Sequence, residues 1–304
     1  MTEEWKKISE PGIYDIPIEI YHDDPCIEPS ISSSGLRIIE NQSPAHYWAT
    51  SPYNPDRIEE EQKDHFNLGS AAHTLILGES GFRDKYVVRP AKWDSWRTTA
   101  AKEWRDEMVD LGRMVLTDEQ IAAIRGIAAN MEKHPEIKQG ILRGQIEKSL
   151  IWKDQETGIW LRARPDVIPT DSNIVIDLKT TADATARSVM RGFVDHGYHI
   201  QLAIIRWGFQ AVLARDVEMF GMVYAETKPP HVVTVRPVDD NFIYWGMCVA
   251  RRALRKFAEC MEKQEWPGYE TDGIPISPPD WLSKKLTQEQ KHGLLPDLDL
   301  TPNE

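Results

Sequence analysis

The feature that most constrains the fold is a pair of apolar segments that each carry an acidic residue and are joined by a short polar turn. Residues 159–168 form the first segment and carry Asp166, whereas residues 174–180 form the second and carry Asp177 and Lys179. In a β-strand, residues two apart face the same side, so Asp177 and Lys179 project together. The Asp-Ser-Asn turn between the segments favours a hairpin that brings Asp166 beside them.

Two carboxylates and an ammonium group at one sheet edge predict a ligand-binding site, because converging charges are costly to remove from water unless something binds them. Carboxylates with open coordination suit Mg²⁺ or Mn²⁺, and the Leu178 carbonyl is a candidate third oxygen ligand. Lys179 would orient or deprotonate a water beside that metal. The pattern therefore indicates metal-assisted hydrolysis of a phosphodiester. The alternative is a surface hairpin with a salt bridge, since Asp-x-Lys alone is a weak signal.

The overall charge constrains the kind of partner that the surface can hold. The chain of 304 residues has 36 Lys and Arg against 48 Asp and Glu, which gives a net charge of −12. This balance argues against general binding of polyanions. An enzyme of nucleic acids with this charge would concentrate its basic side chains in a channel.

Cysteine usage and hydropathy bear on the compartment. Cys26, Cys248 and Cys260 are odd in number and far apart, which argues for a reducing compartment and against a disulfide framework or a zinc site. No apolar run reaches the roughly 18 residues that suggest a membrane span. The N-terminus has no apolar signal segment. We therefore expect a cytoplasmic protein without a membrane partner.

Periodicity and capping signals predict an α/β (α+β) fold in which a mixed sheet is flanked by helices. Predicted strands cover residues 148–153, 159–168, 174–180, 218–226 and 231–235. Predicted helices cover residues 36–41, 65–77, 184–194, 199–214 and 240–263, and further helices open at Ser43 and Thr117. We expect one domain over residues 1–285, with an N-terminal helical elaboration and a core at about 65–263, followed by an acidic flexible tail over 286–304.

A basic and aromatic segment lies upstream of these strands, at residues 83–105. It interleaves indole and cationic side chains, namely Arg89, Lys92, Trp93, Trp96, Arg97, Lys102, Trp104 and Arg105. Such a mixture suits contact with a nucleic-acid backbone together with stacking on bases. The alternative is an ordinary packed lid in which Trp fills space.

The order of elements and several motifs resemble the PD-(D/E)xK nuclease superfamily, and more closely its RecE-type (exonuclease VIII) group from phages and prophages. The resemblance covers roughly residues 30–270 and implies a restriction-endonuclease-like core. It is carried by Ser-Ser-Gly-Leu at 33–36, Ser-Pro-Ala-His-Tyr at 43–47, Gly-Ser-Ala-Ala-His at 69–73, Glu-Lys-Ser at 147–149, Arg-Ala-Arg-Pro-Asp at 162–166, Asp-Leu-Lys-Thr-Thr at 177–181 and Tyr-His-Ile-Gln at 198–201.

The resemblance also implies roles for particular residues. The implied catalytic residues are Asp166, Asp177, Lys179, His73 and Glu147, and the implied metal ligands are Asp166, Asp177, Leu178, Glu147 and His73. The implied DNA-binding residues are Arg162, Arg164, Gln201, Tyr198, Arg37 and Ser33. Each has a structural alternative: a packed core position for His73, a solvated strand end for Glu147, and salt bridges for the two strand arginines.

Two positions depart from the family pattern. Asp177 occupies a position where many relatives carry Glu, and the superfamily pattern accepts either acid. Ile205 occupies the position of the Tyr in the family's Gln-x-x-x-Tyr helix. Tyr198 lies about one helical turn before Gln201 and is the candidate substitute for the missing Tyr.

The activity that the resemblance implies is a Mg²⁺-dependent 5′→3′ exonuclease that acts on linear double-stranded DNA in phage-type recombination or repair. Implied partners are double-stranded DNA ends, a single-strand annealing protein and further copies of the chain in a toroid, within the cytoplasm of a bacterial or phage-infected host. One alternative is a structure-specific endonuclease on the same core. Another is a catalytically silent DNA-binding or scaffold protein, against which the complete set of Asp166, Asp177 and Lys179 argues.

Overall fold

The structure is a computed structural model that describes residues 5–58, 64–78, 82–269, 273 and 275–298. Its helices are α1 Ile18–His22, α2 Ser33–Asn41, α3 Pro44–Thr50, α4 Asp64–Ile76, α5 Phe82–Lys85, α6 Thr99–Asp110, α7 Asp118–Met131, α8 Pro135–Lys138, α9 Ala186–Asp195, α10 Tyr198–Leu213, α11 Asp240–Lys263 and α12 Asp280–Lys291. Its strands are β1 Gly12–Tyr14, β2 Ser30–Ser32, β3 Tyr86–Val88, β4 Met114–Leu116, β5 Gly144–Ile146, β6 Ser149–Lys153, β7 Trp160–Ala163, β8 Val167–Pro169, β9 Ile174–Thr181, β10 Met219–Glu226 and β11 Val233–Pro237.

The chain divides into two compact units, Met1–Gly268 and Tyr269–Glu304. The first contains every residue with a predicted catalytic or binding role. The second contains α12, a helix that the sequence pattern did not predict. Asp280 in its first turn and Lys291 in its last turn have the charges that a helix dipole favours. The domain boundary at 285 and the flexible tail stay predictions, and residues 299–304 lie outside the described part.

The predicted α+β architecture is confirmed, but the strands form several sheets where one mixed sheet was predicted. In one sheet, of order β1-β6-β7-β2, the β6 strand pairs antiparallel with β1 and β7, and β2 pairs parallel with β7. In another, of order β11-β10-β9, the central β10 is antiparallel to β11 and parallel to β9. The pairs β3-β4 and β5-β8 complete the arrangement.

The predicted strand over residues 159–168 is interrupted. It is split into β7 and β8, and Arg164, Pro165 and Asp166 lie between them. Proline has no N–H to donate to a strand ladder, which favours a break at Pro165. The β8 strand then pairs with β5 and not with β9, so the predicted hairpin pairing is wrong. The link to β9 is instead a hydrogen bond in which the Leu178 N–H donates to Asp166 Oδ2 at 2.5 Å.

The main core lies around α10, which packs against α11 on one side and against β6 and β7 on the other. Two glycines allow these close approaches. A Cβ on Gly208 would lie 2.8 Å from the Trp152 ring, and one on Gly246 would lie 2.2 Å from the His199 carbonyl oxygen. These contacts fix α10 between α11 and the β6-β7 pair. Over the described residues, no helix combines the length and apolar character needed to cross a membrane.

A second small apolar cluster anchors α4. It joins Ala71 and Ala72 of that helix to Tyr86, Leu116 and Ile124. The helix α7, which supplies Ile124, opens with the predicted capping box between Thr117 and Gln120. On another side of α4, a Cβ on Gly69 would lie 3.2 Å from Thr180 Oγ1 of β9. The small residue lets α4 approach β9.

Candidate active site

Asp166 lies at the centre of the site, in the break between β7 and β8. The residue is 7% exposed. One carboxylate oxygen, Oδ2, accepts the Leu178 N–H at 2.5 Å, and the other, Oδ1, lies 3.8 Å from His73 Nδ1. The Asp166 carbonyl accepts the Glu147 N–H at 3.1 Å. The break in the strand therefore connects Asp166 to β9, α4 and the end of β5.

Asp177 lies in the buried part of β9, next to Asp166. It is 1% exposed, and its carboxylate has two polar neighbours. Gln201 Nε2 of α10 donates to Oδ1 at 2.7 Å, and Lys179 Nζ lies 2.5 Å from Oδ2 in an ion pair. Burial raises the pKa of Asp177, the Lys179 charge opposes that rise, and the Asp166 carboxylate adds to it.

Lys179 projects from β9 on the same side as Asp177, as residues two apart in a strand must. Its Nζ lies 5.1 Å from the centre of the Tyr198 ring, within the range of a cation–π contact. Burial alone would lower the pKa of Lys179, but the carboxylates of Asp177 and Asp166 outweigh burial and raise it. The two carboxylates therefore favour the ammonium form of Lys179, which is a hydrogen-bond donor.

Three side chains of the site form a group that fits a metal ion. His73, Glu147 and Asp166 each offer one ligand atom, and these atoms all lie within 4.8 Å of one another. Two carboxylate oxygens suit Mg²⁺ and Mn²⁺, while imidazole is a common ligand of other divalent ions. The group is therefore a candidate acidic site for a divalent ion.

The metal-ligand group differs from the predicted set. It contains three of the five predicted ligands, namely His73, Glu147 and Asp166. It leaves out Asp177, whose oxygens contact Lys179 and Gln201. Leu178 is fully buried, and its N–H donates to Asp166. Metal binding by Asp177 and by the Leu178 carbonyl stays a prediction.

Glu147 has a left-handed backbone conformation, with φ of +52°. Residues other than glycine, Asn and Asp rarely adopt this conformation, because their Cβ comes too close to the backbone. Such conformations persist where the surrounding structure holds them, and they concentrate at functional sites. The Glu147 N–H bond to the Asp166 carbonyl ties this residue to the centre of the site.

Replacing Glu147 by Gly should separate stability from function. Glycine relieves the left-handed strain, so we expect the free energy of unfolding to rise by up to about 1 kcal/mol. Metal binding should weaken, because one carboxylate is lost. Thermal denaturation and calorimetric titration with Mn²⁺ measure the two effects.

The matched control for this substitution is Ala214→Gly. Ala214 ends α10 with φ of +51°, so glycine relieves the same kind of strain outside the site. We expect a similar gain in stability with unchanged Mn²⁺ affinity. Glu147→Gln keeps the strain and removes only the charge. Unchanged Mn²⁺ affinity in both Glu147 variants would remove this residue from the metal group.

A cleft with a volume of about 380 Å³ opens beside these residues. It is lined by Ile18, Tyr21, His22, Ser33, Ser34, Arg37, Glu147, Arg164, Lys179, His196, Tyr198 and Gln201. Most predicted DNA-binding residues therefore line one cleft together with Lys179 and Glu147. Tyr198 lines it, whereas Ile205 is 2% exposed and belongs to the core, so Tyr198 is the aromatic residue that α10 contributes.

Arg164 and Arg37 form basic parts of the cleft wall. Arg164 donates from Nε to Ser149 Oγ at 2.9 Å and from a terminal nitrogen to the Ile16 carbonyl at 2.6 Å. Arg37 donates to the His196 carbonyl at 2.8 Å and to Ser34 Oγ at 3.1 Å. Burial lowers the pKa of Arg37, although its guanidinium keeps its charge at any ordinary pH. Both guanidinium groups are held in place before any substrate binds.

The structure places Arg162 away from the cleft, unlike the other predicted DNA-binding residues. This side chain is 3% exposed, and its guanidinium donates to the backbone carbonyls of Tyr21 and Asp23. The Tyr21 hydroxyl donates in turn to the Arg162 carbonyl at 3.2 Å. Because the group is buried and its terminal nitrogens donate to backbone oxygens, Arg162 fixes the N-terminal segment to β7. It does not face the cleft.

The N-terminal segment supplies the cleft residues that sequence reasoning missed. Ile18, Tyr21 and His22 of α1 line the cleft, although residues 1–30 looked irregular in the sequence. The Tyr21 ring lies 4.7 Å from the Arg164 guanidinium and 5.5 Å from that of Arg162. A five-residue helix has too few turns to give a periodic signal, so the sequence offers no clear pattern for this contribution.

Solved structures show a similar fold. A candidate exonuclease from Eubacterium rectale is 13% identical and has a TM-score of 0.60, with 89% of this chain and 98% of that chain covered. A phage-related exonuclease from Haemophilus somnus 129PT is 13% identical, with coverages of 64% and 95%, and has a TM-score of 0.27. An alkaline exonuclease from Laribacter hongkongensis is 14% identical, with coverages of 64% and 97%, and has a TM-score of 0.22. Only the first of these similarities is strong enough to support the fold. No curated protein matches the sequence significantly.

The fold and the acid–lysine site together define an enzyme of the PD-(D/E)xK nuclease class. The predicted superfamily is confirmed by a match to a PDDEXK-like family over most of the chain. The sequence profile described as "PDDEXK-like domain of unknown function (DUF3799)" matches residues 32–273, most of the chain. The chain belongs to this family.

Proposed function

We propose that the protein is a Mg²⁺-dependent DNA exonuclease that degrades linear double-stranded DNA from its 5′ ends. The observation that carries the proposal is a single cleft that combines the acidic group with fixed basic side chains. Glu147 belongs to both the metal group and the cleft wall, and Arg37, Arg164 and Lys179 line the same cleft. A phosphate in this cleft would meet positive charge within reach of the metal ligands.

The metal group would be His73, Glu147 and Asp166, with Asp177 beside it. A bound Mg²⁺ or Mn²⁺ would supply Lewis-acid polarisation of the phosphate and a more acidic water. Asp166 is held for this role by the Leu178 N–H, which fixes the orientation of its carboxylate. Gln201 does the same for Asp177. The protein thus fixes both acids before a substrate binds, which reduces reorganisation during the reaction.

Lys179 would act on the scissile phosphate and on the attacking water. As an ammonium it has three donors. It would stabilise negative charge as this develops on the phosphate oxygens and would orient the water by hydrogen bonding. The Tyr198 ring limits where its Nζ can lie, because the two are 5.1 Å apart.

The basic wall of the cleft would recognise a 5′-terminal phosphate. Such a group has more charge and more unshared oxygens than an internal phosphodiester, so a guanidinium can bind it bidentately. Arg164 and Arg37 are candidates for this contact. Ser33 begins α2, where the helix N-terminus favours an anion. End recognition of this kind would favour the exonuclease over the endonuclease alternative.

Digestion of linear and circular duplexes of the same sequence tests the proposal. We expect Mg²⁺-dependent loss of the linear DNA, starting at its 5′ ends, while the covalently closed circle persists. Cleavage of the circle at a comparable rate would favour the endonuclease. Binding without hydrolysis of either form would favour the silent scaffold.

Arg164→Ala should remove discrimination between 5′-phosphorylated and 5′-hydroxyl ends. The parent enzyme should prefer the phosphorylated end, because the guanidinium fork gains from the extra charge. Initial rates on the two ends are compared at one fixed ionic strength, because binding to DNA depends steeply on salt. Arg255→Ala is a matched control, since Arg255 is an exposed arginine of α11 paired with Glu156. A parent enzyme without any preference would count against the end-recognition step.

The biological setting follows from the resemblance. We place the protein in recombination or repair of phage type, beside a single-strand annealing protein, in the cytoplasm of a bacterial or phage-infected host. A toroid of several copies would let an acidic chain hold DNA if basic side chains lined the hole. Light scattering tests this assembly, and a monomer at working concentration would contradict it.

A further inference from the structure

A surface of indole and basic side chains on residues 83–105 has no part in the hydrolysis proposed above. We call it the Trp–Arg surface. Its members are Arg89, Lys92, Trp93, Trp96, Trp104 and Arg105. Residues 83–105 contain seven Lys and Arg but only three Asp and Glu, in a chain whose net charge is −12. The segment is therefore a local basic region of an acidic protein.

Direct contacts order the Trp–Arg surface. The rings of Trp96 and Trp104 are stacked, with centroids 6.4 Å apart and planes inclined by 10°. The guanidinium carbons of Arg89 and Arg105 lie 5.5 Å and 5.8 Å from the Trp96 centroid. Cation–π contacts of this kind hold a guanidinium plane in a defined orientation. Arg105 also donates to Asp106 Oδ1 at 3.0 Å, and a terminal nitrogen of Arg89 lies 4.0 Å from a Glu119 carboxylate oxygen.

The same pattern continues towards the start of the surface. Trp93 lies 5.5 Å from Trp104 between ring centroids, at an inclination of 50°. Lys92 Nζ lies 4.3 Å from the Trp93 centroid. Three indoles and three cations therefore form one continuous group.

The indoles of this surface are not part of the small apolar cluster that anchors α4. That cluster consists of Ala71, Ala72, Tyr86, Leu116 and Ile124, with partly buried neighbours that include none of the three indoles. All three Trp side chains stay partly exposed. The alternative of a lid in which Trp only fills space would place these rings within that cluster.

The Trp–Arg surface is linked to the candidate active site through α4. Ala71 and Ala72 of α4 anchor the small sheet β3-β4, and α6 packs against β4. His73, the next residue of α4, belongs to the metal group. One helix thus supports both the surface and the site.

We infer that the Trp–Arg surface binds single-stranded DNA. Proteins hold a single strand by combining basic groups for the phosphates with aromatic rings on which unpaired bases stack. Bases of a duplex are already stacked on one another, so indoles gain little from them. The basic character of the segment and its partly exposed indoles together match a single strand. The inference goes beyond the proposed hydrolysis, and its test needs no turnover.

Fluorescence anisotropy with the full-length protein and a labelled oligothymidylate tests this binding. A metal chelator prevents hydrolysis, and the ionic strength is fixed. Because one base–aromatic stack makes a large contribution, we expect Trp104→Ala and Arg105→Ala each to weaken binding of the oligothymidylate by about tenfold. Affinity for a blunt duplex of equal length should change by less than about twofold.

Three further variants control the measurement. Trp104→Phe keeps an aromatic face and should retain most of the affinity, which separates stacking from misfolding. Trp245→Ala and Arg255→Ala remove exposed residues of the same types from α11, where Trp245 is 60% exposed, and should leave binding unchanged.

Three outcomes would overturn the inference: no binding of the oligothymidylate by the parent protein, parental affinity in both Trp104→Ala and Arg105→Ala, or an equal loss of duplex and single-strand affinity. Failure of the proposed nuclease activity would leave the binding result intact, because the chelated protein is measured without cleavage. The two proposals can therefore fail separately.

Discussion

Asp166→Asn is expected to reduce Mg²⁺-dependent hydrolysis by at least about a hundredfold, as loss of a preorganised catalytic group typically does. Asparagine keeps an oxygen that can accept the Leu178 N–H, so the fold should persist. It removes the negative charge of Asp166, which is one of the two carboxylates in the metal group with His73 and Glu147. Initial rates on linear duplex and calorimetric titration with Mn²⁺ should therefore both show large losses.

Asp195→Asn is the matched control for this substitution. Asp195 is an exposed acid at the end of α9, paired with Arg191. It should keep the parental rate and metal affinity. Parental activity in Asp166→Asn would mean that the site has been assigned wrongly, whatever the fold.

Lys179→Ala is expected to have an effect of similar size for a different reason. Removal of the ammonium takes away a positive donor from the phosphate, which should lower the rate by about a hundredfold or more. Metal affinity should be kept or raised, because a neighbouring cation no longer repels the incoming ion. Rates and Mn²⁺ titration distinguish these two effects.

The stability of the Lys179→Ala variant provides an additional measurement. Asp177 is 1% exposed and would lose the ion pair that offsets its burial, so the metal-free protein should unfold at lower temperature. Mn²⁺ should recover more of this stability in the variant than in the parent. Lys179→Arg keeps the charge and should lose less stability. If titration shows that Lys179→Ala no longer binds metal, Lys179 has a structural role instead.

The sequence predicts those parts of the fold whose determinants are local. The capping box at Thr117 fixes the start of α7, and the long apolar periodicity of α10 and α11 is sufficient to locate both helices. The two-residue spacing in β9 likewise predicts that Asp177 and Lys179 meet. Each of these features depends on neighbours within about one helical turn or one strand repeat.

Other parts depend on contacts between distant segments. The break at Pro165 changes which strand β8 pairs with, and the spacing of apolar residues does not reveal this. The resemblance to the family implies a DNA contact for Arg162. In the structure, the Arg162 guanidinium donates to backbone carbonyls of the N-terminal segment, more than a hundred residues earlier in the chain. Likewise, His73 and Glu147 come together with Asp166 only through the packing of α4 and the end of β5.

The attachment of the N-terminal segment has a consequence for where the functional unit begins. The family profile starts at residue 32, yet Tyr21, Ile16 and Asp23 supply the partners of Arg162 and Arg164. A chain shortened to the family boundary would leave the Arg162 guanidinium without those carbonyls and would remove the ring beneath Arg164. We therefore expect the smallest stable unit to be longer than the region that defines its family, because residues before position 32 line the candidate substrate cleft.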